Sequence, residues 1–259
     1  MAGADDLRDS PAGTPFEFRV LPDPEAVARE AASEVVVAAR ETASKGMAAV
    51  RDGAKLRGRF QLVLAGGSTP RRLYELLARE PEIDWSAVRL FWGDERCVPP
   101  DHADSNYRLA FESLISRIEI PRQNVCRLRG EAPDCEAAAR EYEEVLRKAG
   151  GLDLVLLGVG EDGHTASIFP GTPAAAEESR WVVPARAPEW ISPAQRLTLT
   201  LPAIATARRV LFLVTGESKR EVVAAIRRDR ERAVERYPAA AVRTREGVTW
   251  LLDVAAAGG

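Results

Sequence analysis

Two histidines serve the whole 259-residue chain, and one of them, His164, sits where chemistry is expected. It follows the apolar run Leu154 to Leu157 within Gly158-Val-Gly-Glu-Asp-Gly-His-Thr-Ala-Ser-Ile-Phe-Pro170. Gly158, Gly160 and Gly163 allow the backbone to turn tightly there. An imidazole titrates near neutral pH, so it can take and return a proton. Asp162, two residues earlier, is a candidate to orient either a sugar or that ring. His102 lies among Asp101, Ala103 and Asp104 and reads as a histidine of a surface loop.

A second set of residues suits an anion. Gly66, Gly67 and Ser68 offer backbone N–H groups and a hydroxyl at a strand-to-helix turn, a geometry that favours phosphate. Taken alone the glycine pair is equally a plain tight turn. Pro70 fits the first helical turn, with Ser68 or Thr69 as its cap. Arg196 carries a planar fork able to grip phosphate. Lysine occurs only at positions 45, 55, 148 and 219, and Lys219 falls near a helix N-terminus, where the dipole disfavours a cation and an anionic ligand would favour one. Asp94-Glu95-Arg96 ends another strand. These three form either a solvated turn or, with Asp162, groups that orient a sugar or the imidazole.

A phosphate clamp beside a histidine points to a small phosphorylated metabolite as the partner. Other chemistries lack their signatures. There is no GxSxG elbow, and Cys97 has no histidine partner in sequence, so a covalent nucleophile is not expected. No HExxH spacing occurs, and with two histidines no catalytic metal is expected. Without a Gly-Lys-Ser/Thr loop or a GxGxxG, no nucleotide cofactor is expected either.

The elements that must carry these residues alternate. Strands are predicted over 60–65, 88–92, 124–128, 154–157, 181–184, 196–201, 209–214 and 248–253. Helices are predicted over 22–50, 71–79, 105–115, 135–149 and 219–226. Such alternation without a linker or repeat predicts one α/β domain over 16–254, doubly wound and Rossmann-like, its mainly parallel sheet flanked by helices. Residues 1–15 and 255–259 read as tails, the first of them flexible. In a parallel sheet the turns after residues 65, 92, 159 and 214 share one edge and converge on one cleft.

A net charge of -3 and a pI near 5.7 give no general attraction to nucleic acid or to an anionic membrane. No apolar run approaches the roughly 20 residues of a membrane span, and the N-terminus lacks a signal-peptide core. Cys97, Cys126 and Cys135 show no CxxC spacing and are expected as reduced thiols, which fits a cytoplasmic location. No obligate protein partner is evident.

Several stretches together resemble one family. Gly66-Gly-Ser-Thr-Pro70, Phe91-Trp-Gly-Asp-Glu-Arg96 with Ser105-Asn-Tyr107, Gly158 to Pro170, Arg196-Leu-Thr-Leu-Thr-Leu-Pro202 and Gly216-Glu-Ser-Lys219 look like the 6-phosphogluconolactonase family, in order, from about residue 60 to 225. The resemblance implies metal-free hydrolysis of 6-phospho-D-glucono-1,5-lactone to 6-phospho-D-gluconate, in the oxidative pentose phosphate pathway. It implies His164 as the base, with Gly67, Ser68, Arg196 and Lys219 holding the phosphate. From the residues themselves, Asp162 and Asp94 are added as catalytic candidates, and Gly66, Glu95 and Arg96 as further substrate-binding candidates. A related family, glucosamine-6-phosphate deaminase, resembles the same glycine loop but continues after its histidine to a glutamate that serves acid–base chemistry. The matching position here is Phe169, so isomerisation is not expected.

Overall fold

The computed structural model describes residues 15–51 and 59–259. The expected N-terminal tail therefore lies, apart from Pro15, outside the described residues. Strand β1 (Phe16–Leu21) leads into α1 (Pro24–Arg51), β2 (Phe60–Leu64), α2 (Ser68–Leu77), β3 (Val88–Trp92) and β4 (Asp94–Arg96). Then follow α3 (Asn106–Ser113), α4 (Cys135–Ala149), β5 (Leu154–Leu157), β6 (Val182–Arg186) and β7 (Gln195–Leu199). The chain continues through α5 (Leu201–Ala205), β8 (Arg209–Val214), α6 (Arg220–Arg228) and two short helices, Arg230–Val234 and Pro238–Ala241. Last come β9 (Gly247–Asp253) and a short helix, Val254–Ala257.

Six strands form one parallel sheet in the order β1-β9-β8-β5-β2-β3. Every residue of β2 and β5 is buried, as expected for strands covered on both faces. Helix α1 lies against α2 and over β8 and β9. Across β8 and β9 Phe212 and Trp250 stack at 3.9 Å between ring centroids. From β2 the chain steps to β3 at one edge, then returns to place β5 on the other side of β2. That reversal opens a crevice at the carboxyl ends of β2 and β5, the position where open α/β sheets bind ligands.

Two buried tyrosines fix the strand ends that border this crevice. The Tyr74 hydroxyl on α2 accepts the N–H of Ala65 at 2.9 Å and donates to the same residue's carbonyl at 2.7 Å. Tyr142 on α4 does the same for Trp92, at 2.7 and 3.2 Å. Burial raises the pKa of both phenols, so both keep the proton they donate.

Four local expectations need correction. Phe16–Leu21 is a strand, at the sheet edge beside β9, where partial exposure blurs its alternation. Asp94–Arg96 is a strand rather than a turn, joining β7 and β6 in a separate three-stranded antiparallel sheet. Residues 124–128 form a single bridge, Val125 to Leu90, in place of a strand. The expected tail at 255–259 begins as a helix, capped by Asp253 through the N–H of Ala256 at 2.8 Å.

Candidate active site

The crevice is a small cleft of about 190 Å³, walled by Ala65, Gly66, Gly67, Asp94, Arg96 and His164 among others. Pockets for drug-sized ligands measure roughly 300–1,000 Å³, so this smaller space suits one small metabolite. Three of the four turns expected to converge contribute to its wall. The fourth, after β8, is tied to the rim. The hydroxyls of Thr215 and Thr69 meet at 2.8 Å, and Lys219 Nζ lies 3.9 Å from Glu161 of the histidine turn.

His164 is held on several sides. The turn closes on itself through Gly163 N–H to the Gly160 carbonyl, 3.0 Å, and Gly160 N–H to the His164 carbonyl, 2.9 Å. The imidazole lies directly over Gly160, where an added Cβ would fall 2.1 Å from Nδ1. Phe169 packs on the ring at 4.4 Å between centroids. Nδ1 meets Asp162 Oδ1 at 2.6 Å. Burial opposes ionisation of Asp162, but hydrogen bonds from the His164 ring and backbone outweigh it and hold the carboxyl below its ordinary range. An ionised carboxylate only accepts, so Nδ1 carries the proton, and in the neutral ring Nε2 is the acceptor.

Asp94 is buried on the same wall, taking the Ser167 hydroxyl at 2.6 Å and the Asn106 side-chain amide at 3.0 Å. Sequence reasoning gave Asn106 no role of its own. Its amide oxygen stands where a Cβ on Gly66 would be, 2.0 Å away, so Gly66 is glycine because Asn106 approaches it so closely. The Ser-Asn pair at the start of a helix was the available signal.

Glu95 is placed otherwise than expected. It is buried and faces the first turn of α3, where it accepts the backbone N–H groups of Arg96, Asn106 and Tyr107 at 2.7, 2.8 and 2.8 Å and the Ser105 hydroxyl at 3.1 Å. Burial still raises its pKa, with those N–H groups pulling the other way. Its acceptors are spent on anchoring α3, and it does not line the cleft.

The anion-binding set is arranged differently. Gly67, at φ 112°, is the N-cap of α2, and no side chain caps the helix, so neither Ser68 nor Thr69 fills the expected role. The first-turn N–H groups remain available beside exposed Gly67 and Ser68. Arg96 and Arg196 sit directly opposite each other across β4 and β7. Arg196 is buried, and neither its Nε nor that of Arg96 has a hydrogen-bond partner among the described residues. Burial lowers the pKa of Arg196, and the charge of Arg96 adds to the effect. Two opposed like charges are unfavourable until an anion joins them. Among the described residues no group of three or more His, Cys, Asp or Glu is gathered as a metal site, and no helix is long and apolar enough to cross a membrane.

Fold and cleft together define an α/β protein in which an Asp–His pair faces donors suited to an anion. The sequence matches the glucosamine-6-phosphate isomerase/6-phosphogluconolactonase family over residues 22–251, and the chain belongs to that family. A 6-phosphogluconolactonase of Synechocystis sp. is 40% identical over 205 residues, 76% of this chain and 83% of that one. Among solved structures, 6-phosphogluconolactonase from Trypanosoma brucei superimposes with a TM-score of 0.77 at 30% identity, covering 95% of this chain and 99% of the other. With such relatives the chain stands among the lactonases of its family, and it is an enzyme. A monomeric glucosamine-6-phosphate deaminase shares the fold, with a TM-score of 0.78 at 23% identity over 93% of this chain and 99% of that one. An Arabidopsis thaliana 6-phosphogluconolactonase described as chloroplastic is 38% identical over 216 residues, 77% of this chain but only 65% of that one. Kinship therefore does not assign the compartment.

Proposed function

We propose that the chain hydrolyses 6-phospho-D-glucono-1,5-lactone to 6-phospho-D-gluconate, with His164 as general base. The observation that carries this reading is the 2.6 Å Asp162–His164 contact on the wall of a cleft that also presents Gly66, Gly67 and Arg96. His164 Nε2 takes a proton from water as its oxygen attacks the lactone carbonyl. The carbon–ring-oxygen bond then breaks, and the same proton passes to the departing oxygen. Asp162 steadies the imidazolium between the two transfers. Arg96 supplies positive charge to the developing oxyanion, and Asp94, fixed by Ser167 and Asn106, orients a sugar hydroxyl. Gly67, Ser68, Arg196 and Lys219 hold the phosphate, which places the carbonyl over His164.

Phe169 argues against the isomerase chemistry found elsewhere in the family. It is buried against the imidazole at the position where a carboxylate would have to shuttle protons between carbons. The test is acid release from the lactone, with the spontaneous rate subtracted. Wild type exceeds that rate, and His164→Gln loses at least about 100-fold in kcat while remaining folded, the lower end of what a general base contributes. A wild-type rate equal to background overturns the assignment, and an active His164→Gln overturns the base.

A further inference from the structure

The turn that carries His164 also meets an aromatic ring outside the cleft, at Gly163. Gly163 adopts φ 80°, and a Cβ added to it would fall 2.2, 2.7 and 2.8 Å from Cδ1, Cγ and Cβ of Tyr237. The ring is thus seated directly on the Gly163 backbone. Beside it, the Ala239 N–H donates to the Gly163 carbonyl at 3.1 Å. The turn is held at two glycines, by its own imidazole over Gly160 and by Tyr237 over Gly163.

We infer that Tyr237 is a positioning residue for the reaction, holding the 160–164 turn so that Asp162 and His164 keep their alignment. The inference rests on the proposed role of His164 as base. Tyr237 does not line the cleft, so it acts through the turn and does not touch substrate. It is itself well fixed. Its N–H donates to the Ala233 carbonyl at 2.8 Å, its carbonyl accepts the Ala240 N–H at 2.9 Å, and the Arg236 guanidinium lies 5.1 Å from its ring centroid. Tyr237 also lines an open depression of about 770 Å³ with Arg228, Arg232 and Arg236 among others. Tyr237 therefore touches both the Gly163 backbone and that depression. When the ring is truncated, Gly163 loses its cover and the Asp162–His164 segment gains room to move. Misplacement of a base by a fraction of an ångström is costly in rate, whereas the phosphate donors belong to other turns.

Kinetics of Tyr237→Ala, Tyr237→Leu and Tyr237→Phe, measured well below each variant's melting temperature beside His164→Gln, decide the matter. The expected result is a fall in kcat of at least tenfold for Tyr237→Ala with KM within about twofold of wild type, since positioning affects the transition state more than ground-state binding. Tyr237→Leu, which keeps bulk should the alanine variant not fold, falls between the two. Tyr237→Phe keeps wild-type kcat, because the nearest atoms over Gly163 are Cδ1, Cγ and Cβ and not the hydroxyl. If His164→Gln is inactive yet Tyr237→Ala and Tyr237→Leu keep wild-type kcat, Tyr237 is packing alone and the inference fails. A rise in KM with kcat unchanged also overturns it. If His164→Gln stays active, the base assignment fails, whatever the tyrosine variants do.

Discussion

The two halves of the cleft are built in opposite ways. On the histidine side nearly every group is already engaged: Nδ1 on Asp162, the ring against Gly160 and Phe169, the turn closed by its own backbone and backed by Tyr237. On the anion side donors are left over. Helix α2 has no side-chain cap, the Nε atoms of Arg96 and Arg196 lack partners among the described residues, and Lys219 Nζ lies 3.9 Å from the carboxylate of Glu161. On the proposed function the difference follows from what each half has to do. A base works by direction, so its surroundings are satisfied in advance. An anchor works by unspent hydrogen-bonding capacity, which would be lost if the fold satisfied it. Arg196 shows the cost, because burial beside Arg96 already works against its charge.

The comparison breaks most readily on the histidine side. Beyond His164→Gln, Gly160→Ala puts a methyl group 2.1 Å from Nδ1, 2.2 Å from Cε1 and 2.6 Å from Asp162 Oδ1, so either ring or carboxylate must move. The expected outcome is a kcat lower by at least tenfold with KM nearly unchanged and far-UV circular dichroism intact. An unaltered kcat would show that the alignment of ring and carboxylate is not needed. On the anchor side the sign reverses. Lys219→Ala removes one charged contact, worth about 1.5–3 kcal/mol or roughly 10- to 100-fold, and should raise KM for the lactone while leaving kcat within a few-fold. With a lactone lacking phosphate, wild type and Lys219→Ala should not differ. An equal loss on both substrates would take Lys219 out of the phosphate site.

How far the sequence discloses each half follows the same division. The histidine turn is local: an apolar run, three glycines and two polar side chains within about a dozen residues, so its strand, turn and chemistry are legible together. The alternation of strands and helices likewise discloses the parallel sheet and its shared edge. Glu95 is not legible in this way. Adjacent to Asp94 and Arg96, it reads as part of a charged turn, and only burial under Ser105, Asn106 and Tyr107 reveals a carboxylate committed to α3. The opposition of Arg96 and Arg196 depends on strand register across the second sheet, which no local pattern encodes. The seat of Tyr237 on Gly163 is tertiary for the same reason. Edge strand β1 escapes notice because only part of it is covered.

The smallest predicted effect bears on the one place where the halves touch. Glu161 belongs to the histidine turn and Lys219 to the anchor, and their 3.9 Å pair joins a lysine side chain 24% exposed to a glutamate 68% exposed. An ion pair so open to solvent is worth about 0–1 kcal/mol. A substrate phosphate must take the ammonium from this carboxylate or share it. If the anchor is held in reserve, Glu161→Gln relieves that competition, and KM falls by no more than about fivefold, the rate equivalent of 1 kcal/mol. Screening weakens such a pair, so the gain should shrink as ionic strength rises, and kcat should not change because neither side chain contacts the imidazole. Steady-state kinetics at low and high salt read both quantities. A higher KM in Glu161→Gln would mean that the carboxylate orients Lys219 toward the phosphate. The anchor would then be arranged in advance like the base, and the contrast between the two halves would hold for the arginines and the α2 N-terminus alone.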